Sequence, residues 1–414
     1  MAHIIIIGGG IIGLSAAYYL HREGHEVTVL DKGDITGNCS YGNAGMIVPS
    51  HFVPLAAPGM IRQGIRWMFN SRSPFYIKPA INSELIGWGL QFIKHATARH
   101  VAAAAVPLRD LSLLSRSLYN ELAQEPGLAF GLQHKGILAF FKTNKAAEEE
   151  AHLVKDAAAL GLDFALLDAK ACRALQPDLE LDVLGAVHYR CDGHLSPRSL
   201  MTTLLAYLEK NNVTILRNHA ADGVEMEGGV IRAITASGKR FTADHFVLAT
   251  GAWSPAVAKM LHVKAPLMPG KGYSFMGENP NDCLQIPALL CEARVAVTPM
   301  DEQIRYGGTM ELARINGKVN MNRVQGIVDA IPAYFPGLRP ALPATANTWF
   351  GFRPSSPDGL PYIGYSKKVK NLVLATGHGM MGLSLGPATG LLVSRLINGQ
   401  PTEVGMEPFA PDRF

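Results

Sequence analysis

Four isoleucines, Ile4 to Ile7, stand in a row near the start of the chain and then give way to three glycines. A short apolar run that stops at glycine reads as a buried strand. After "GGGIIG" the small and apolar residues Ala16, Ala17 and Leu20 fall at helical spacing, Gly24 ends that helix, and "EVTVLD" supplies a second strand. Further on, Leu108, Leu111, Leu114, Leu118 and Leu122 recur every three or four residues and predict a long amphipathic helix. "GILAFFK" at 136–142 reads as a strand, Glu148 to Glu150 as a solvated helix face, and 197–210 as a helix followed by a short strand. A hairpin is expected around Gly238, and then a buried strand running into Thr250, Gly251 and Ala252. "KGYSF", "ARVAVTPMDEQIRYGGTMEL" and the stretch from Phe350 predict a second, more antiparallel sheet, with one strand over 303–307. "NLVLATGHG" repeats the form of "HFVLATGA", so both are expected to enter the first sheet, with "GPATGLLVSRLI" as a helix behind them.

The opening unit carries chemistry. Gly8, Gly10 and Gly13 form G-x-G-x-x-G between a strand and a helix, and Asp31 follows 18 residues after Gly13. Gly8 permits the tight turn, Gly10 lets the backbone approach a pyrophosphate, and Gly13 lets helix and strand pack closely. The amides of Ile11, Ile12 and Gly13 open the helix, where anions bind. Asp31, next to Lys32, is expected to accept hydrogen bonds from ribose hydroxyls. The motif alone does not choose between FAD and NAD. The loop "GDITGNCSYGNAGMIVPS" offers Ser40, Asn43, Ala44, Gly45 and Ile47 as a second side for a pyrophosphate and flavin, or else is ordinary surface. Gly377, His378, Gly379, Met380, Met381 and Gly382 follow the last strand at its C-terminal edge, where ligands of α/β sheets lie.

Composition adds little and excludes some classes. Apolar residues make up 48% and charged residues 17%, which excludes disorder, and 414 residues favour two domains over one. A net charge of +4 is too mild for a nucleic-acid partner. Cysteines at 39, 172, 191, 283 and 291 show no zinc spacing, and with no secretory leader they fit a reducing, cytoplasmic compartment. No apolar run reaches the length of a membrane span. Between Met60 and His100, however, Arg62, Arg66, Arg72, Lys78, Lys94 and Arg99 face a single acid, Glu84, among Trp67, Phe69, Phe75, Tyr76, Trp88 and Phe92. Two readings stand for it: a solvated basic face over core aromatics, or a surface that rests on an anionic membrane.

"GGGIIG", "NAGMIVPS", "AAPG", "RWMF", "KGYS", "IRYGGTME", "GFRPSSPDG" and "NLVLATGHGMMG" together resemble the D-amino-acid oxidase superfamily of flavoenzymes, and within it the bacterial D-amino-acid dehydrogenase small subunits. The resemblance runs nearly end to end. It implies an α/β fold in which a Rossmann-like FAD domain (1–56, 190–262 and 345–414) interleaves with an α+β substrate domain on a mixed sheet (57–189 and 263–344). It also implies oxidation of D-amino or D-imino acids, with electrons passed to a membrane quinone rather than to oxygen, and peripheral contact with the cytoplasmic face of the inner membrane. A partner subunit is left open. Gly8, Gly10, Gly13, Asp31, Ser40, Asn43, Ala44, Gly45, Gly251 and 378–382 match positions that touch FAD. No cysteine lies in the late loops, so the resemblance implies non-covalent FAD. Arg353 matches the arginine that binds the substrate carboxylate, and Tyr273 is expected to close the same site. A structural arginine in a Pro/Gly-dense turn is the other reading of Arg353, and His378 is either beside the flavin or satisfied by the backbone. "SPFYIKP" at 73–79 resembles enzymes of cyclic imino acids such as D-hydroxyproline. An oxygen-using oxidase and a non-catalytic flavin-binding subunit are the alternatives.

Overall fold

The computed structural model describes residues 1–60, 73–77 and 83–414. The first strand, His3–Ile7, is buried from Ile4 onward and lies inside a six-stranded sheet. From edge to edge the strands are Tyr362–Tyr365, Leu372–Thr376, His245–Leu248, His3–Ile7, Glu26–Leu30 and Thr214–Leu216. All neighbours are parallel except the Tyr362–Tyr365 edge. Parallel strands are covered on both faces, which is why they read as unbroken apolar runs. The two "VLAT" strands pair with each other, Leu248 opposite Leu374, so both Ala-Thr-Gly ends open at one edge of the sheet.

Helices Ile11–Arg22 and Gly382–Ile397 pack on this sheet and on each other. Their approach needs missing side chains. A Cβ on Gly390 would lie 2.5 Å from the backbone of Ser15, and one on Gly13 would lie 1.9 Å from the carbonyl oxygen of Gly8. The leucine-rich segment forms the helix Ala98–Leu122, capped by Thr97 accepting from His100 N. The helix at Pro197–Lys210 begins at a Ser196 cap with proline in its first turn. Glu150 departs from the expected solvated face. It is buried in the helix Asn144–Ala159 and accepts from the Cys291 thiol.

The second sheet is mixed. Its path runs Trp349–Ser355, Met268–Glu278, Gln303–Leu312, Val295–Met300, Ala288–Leu290, Ile137–Phe141, Gly185–Tyr189 and Phe164–Asp168, with Phe75–Ile77 paired to Gln303–Leu312. The strand from Gln303 therefore runs five residues beyond the expected end at Gly307. Helix Met321–Tyr334 supplies Val324, Ile327 and Ile331 to the core on one face. Trp349–Ser355 lies at the sheet edge, and the chain passes from it to Tyr362–Tyr365 in the parallel sheet.

That crossing is clamped by the C-terminus. Arg413 holds the buried Asp358 through two hydrogen bonds of 2.6 and 3.0 Å and lies 4.1 Å over the Tyr362 ring. Removing one partner of a buried pair strands the other charge, at a cost of about 3–5 kcal/mol. Arg413→Ala is therefore expected to lower the unfolding free energy by that amount in urea titrations. Arg413→Lys, which keeps the charge but loses the fork, should fall between the two.

Candidate active site

The dinucleotide cradle is assembled by hydrogen bonds around Asp31. Gly9 N donates to one Asp31 oxygen at 2.6 Å and Gly33 N to the other at 2.7 Å. Gly8, at φ +112°, turns the chain against the backbone of Ala249 and Thr250, next to Gly251. Ser40 Oγ accepts from Ile11 N at 3.1 Å, which leaves the Ile12 and Gly13 amides without an intrahelical acceptor at the positive end of the helix. Beside Gly10 the nearest atom to a Cβ would be Ser40 Oγ at 3.6 Å, so no backbone crowds that side. Open space, free amides and a carboxylate with spare lone pairs fit the pyrophosphate and ribose of a dinucleotide. Lys32 lies 3.5 Å over the Trp253 ring, and burial holds its pKa below the usual lysine range.

The loop from Ser40 turns and then enters the short strand Met46–Ile47, and it is gripped by the second sheet. Arg305 donates to the carbonyls of Tyr41 (3.0 Å) and Asn43 (2.7 Å), while Ser274 Oγ donates to Gly42 O at 2.9 Å. Asn43 accepts from Gly45 N, and Gly45, at φ +78°, leaves no room for a side chain beside Leu195 O. Ile47 pairs with Gly193, and Ala44 and Met46 pack beside Met381. Arg305 was not anticipated. It is buried with no carboxylate partner among the described residues, and burial pulls its pKa down to about 10. Its only signal in the sequence is a cation alternating with Gly307 in an otherwise inward-facing strand.

Arg353 sits in the strand Trp349–Ser355, not in a turn. Directly opposed residues of an antiparallel pair share a face. Gly270 opposes Arg353 and Gly272 opposes Gly351, so these face one way; Lys271 and Tyr273, opposite Phe352 and Phe350, face the other. The Arg353 guanidinium lies over Gly272, where a Cβ would come within 2.5 Å of it, and donates to the Thr309 carbonyl. Among the described residues no carboxylate pairs with it, and burial lowers its pKa to about 10. Tyr273 is thus corrected: it is buried on the opposite face, donates to Glu311 at 3.3 Å and accepts from Asn320 N, and burial raises it to about 12. Glu311 in turn lies 3.6 Å from the buried Arg323, which covers the Tyr76 ring.

The late glycine loop meets the arginine strand. Gly379 N donates to Pro354 O at 3.0 Å, and Ser355 bridges His378. The His378 ring itself turns away, to Thr389 of the C-terminal helix at 2.9 Å. Burial pushes its pKa down to about 3, so it stays neutral at working pH. The ring is thus bonded inside the protein, to a side chain rather than to the backbone. Gly377, Gly379 and Gly251 take positive φ, Met380 is exposed, and Gly382 begins the helix. The structure therefore brings Arg353, Gly251, the loop over 40–47 and the segment 377–382 to one sheet edge, and leaves Tyr273 outside.

A parallel sheet carrying a dinucleotide cradle, beside a mixed sheet that presents an arginine with no carboxylate partner among the described residues, defines an oxidoreductase. Residues 3–396 match the model of the DAO, or FAD dependent oxidoreductase, family; the chain belongs to that family, and FAD is its cofactor. It is 31% identical over 421 residues to a D-amino acid dehydrogenase of Granulibacter bethesdensis, covering 99% of both chains. To a D-amino acid dehydrogenase of Methylobacterium radiotolerans it is 30% identical, covering 100% of this chain and 99% of the relative. Among solved structures, glycine oxidase from Bacillus cereus superposes with a TM-score of 0.77 at 23% identity, covering 97% of this chain and 96% of that one. L-proline dehydrogenase from P. horikoshii gives 0.77 at 18% identity, covering 100% and 97%. These two show the same fold.

One carboxyl beside the site titrates near neutrality. Asp192 is fully buried, bonded to Ser50 N at 3.0 Å, Ser50 Oγ at 2.5 Å and the Cys191 thiol. Desolvation raises its pKa to about 7, against the Ser50 bonds that favour the anion. A folded-state pKa above the unfolded one gives stability that is full below about pH 4 and lost as pH rises through about 7. Asp192→Asn removes that titration. Urea unfolding at pH 4.5, 6 and 7.5 should show wild type losing more stability across the series than the variant.

Proposed function

We propose that the chain oxidises a D-amino or D-imino acid at Cα and passes the electrons to a quinone rather than to oxygen. The observation that carries this reading is Arg353, a half-buried guanidinium beside the glycine loop that has no carboxylate of its own among the described residues. A planar fork is the donor best matched to a substrate carboxylate. Gly8, Gly10, Gly13, Ile11 and Ile12 hold the pyrophosphate, Asp31 and Lys32 the ribose side, and Ser40, Asn43, Ala44, Gly45, Ile47, Gly251 and 377–382 the flavin, without a covalent bond. The FAD portion corresponds to 1–56, 190–262 and 345–414, and the substrate portion to 57–189 and 263–344.

FAD, when bound, would supply the two-electron acceptor for a hydride from Cα. Arg353 holds the carboxylate so that Cα–H points one way, and the amine lone pair becomes the C=N bond as the hydride leaves. Water then hydrolyses an open-chain imine to a 2-oxo acid and ammonia. No protein base is needed once the amine is neutral, which agrees with a neutral, internally bonded His378. The full-length relatives named as D-amino acid dehydrogenases support the D configuration and the non-oxygen acceptor. The D-hydroxyproline or D-proline version rests on "SPFYIKP" and on the cyclic-substrate neighbour's name.

Membrane contact is supported by helix Ser83–His95. Ile86, Leu90 and Ile93 recur at helical spacing and are 55, 65 and 55% exposed, whereas Trp88 and Phe92 pack inward. Lys94 and Arg99 are exposed nearby, and Arg62, Arg66, Trp67, Phe69, Arg72 and Lys78 lie outside the described residues. No described helix is long and apolar enough to cross a membrane. This face rests on the cytoplasmic leaflet of the inner membrane.

Arg353→Lys should lower kcat/KM by about 10²–10³-fold, roughly 3–4 kcal/mol, with FAD content unchanged. Anaerobic single-turnover flavin reduction across a panel of D- and L-amino acids reads this directly. Wild-type rates in the variant would require a different anchor. Turnover with a soluble quinone should exceed turnover with oxygen, and the holoenzyme should float with anionic liposomes less as salt rises. Equal turnover would favour an oxidase, and absence of flotation at low salt would remove the membrane contact.

A further inference from the structure

Trp349 stands on the same strand and the same sheet face as Arg353, four residues earlier, with Gly351 between them. Four strand residues separate the two Cα atoms by about 13 Å, yet both side chains lean into the gap. The tip of the indole, Cη2, comes within 2.2 Å of where a Gly351 Cβ would be, and the guanidinium comes within 2.5 Å of a Gly272 Cβ. Gly351 and Gly272 are directly paired. Indole and guanidinium therefore converge over one glycine pair from opposite ends.

The other edge of the indole is held by a third glycine. A Cβ on Gly42 would lie 2.0 Å from Trp349 Cδ2, and Gly42 is itself fastened by Ser274. The ring is half-buried, and among the described residues it belongs to none of the hydrophobic clusters and its N–H has no hydrogen-bond partner. A large aromatic seated by two glycines, Gly351 and Gly42, and pointed at the anchor has the form of a pocket wall.

Resting on the carboxylate reading of Arg353, we propose that Trp349 sets side-chain specificity by closing the pocket to all but compact, uncharged substrates. An acid anchored at Arg353 has its side chain against the indole within the width of the glycine pair, which suits a methyl group or a small saturated ring. A cationic side chain would need a counter-charge there. Glu311, the buried carboxylate of these strands, faces the other way with Arg323 and Tyr273. Steric exclusion of one or a few methylenes is worth about 10–200-fold in kcat/KM, the scale on which the wall acts.

The test uses the FAD-loaded holoenzyme with Trp349→Phe and Trp349→Ala. Anaerobic flavin reduction is measured with D-alanine, D-proline, D-phenylalanine and D-arginine, and acetate and benzoate are titrated as non-oxidisable probes by their flavin spectral shifts. Wild type should favour D-alanine or D-proline over D-phenylalanine and D-arginine by at least about 10-fold. Trp349→Ala should move the D-phenylalanine to D-alanine ratio, and the benzoate to acetate affinity ratio, toward the larger member by about 10–100-fold, with Trp349→Phe between and FAD content constant. A uniform fall for all substrates, or loss of FAD with both ratios unchanged, would overturn the assignment. So would a wild type that prefers D-phenylalanine or D-arginine, while leaving the carboxylate anchor standing. If no D-amino acid reduces the wild-type flavin, the anchor reading fails, and the benzoate to acetate ratio still decides whether Trp349 is a wall.

Discussion

Contact between backbone and backbone, possible only where a Cβ is missing, is the constraint on which the nucleotide half depends. Gly13 sits against the Gly8 carbonyl, Gly8 against Ala249, and Gly390 against Ser15. These three contacts fix the first helix to the first strand, the first strand to the returning strand, and the first helix to the last. A methyl group at any of them demands movement of main chain rather than of a flexible side chain. Close packing transmits such shifts instead of absorbing them. The cradle's free amides, the Asp31 bonds and the late loop share one frame, so their relative positions are set before any ligand arrives.

The same device recurs in the second sheet with a different purpose. Gly272 and Gly351 make room not for backbone but for a guanidinium and an indole. Arg353 and Arg305 are both desolvated without carboxylates, yet their surroundings differ. Arg305 donates to two carbonyls of the loop and to Met276 Sδ, so its charge is spent on holding that loop. Among the described residues Arg353 has one carbonyl partner, to which only one of its five donors is committed.

What the sequence made legible was local in order. Strand, glycines, helix and terminal acid follow one another within about thirty residues, and the repeated "VLAT" ends mark two neighbouring strands because each repeats the other's environment. What it hid depended on register or on distant partners. Tyr273 and Arg353 fall on opposite faces because Gly270, not Tyr273, opposes the arginine, and a one-residue difference in pairing decides that. Arg353 reads as a turn residue because Pro354 follows it, but Trp349–Ser355 is an edge strand where a missing N–H is tolerated, and Pro354 there opposes Pro269. His378 reads as a ligand-facing histidine because glycines flank it; its partner, Thr389, lies a turn and two helical turns later.

The join between the sheets gives these separate facts a common consequence. The residues just after Arg353 are bonded on two sides: Pro354 and Ser355 to the loop of Gly379 and His378, and the Ser355 carbonyl to Trp88 Nε1 at 2.8 Å. His378 is in turn tied to the last helix, whose first turn also reaches the 40–48 loop through Ser384 to Val48 N. The strand of Arg353, the late loop and the early loop thus form one continuous hydrogen-bonded path between the two sheets. Orientation of a reacting bond to within a fraction of an ångström needs such a path, because catalysis by placement is lost when the two placed groups move independently. A neutral histidine serves that purpose better than a charged one, since a buried imidazolium bonded only to a threonine would drive the loop apart. The ring between the glycines is therefore a strut.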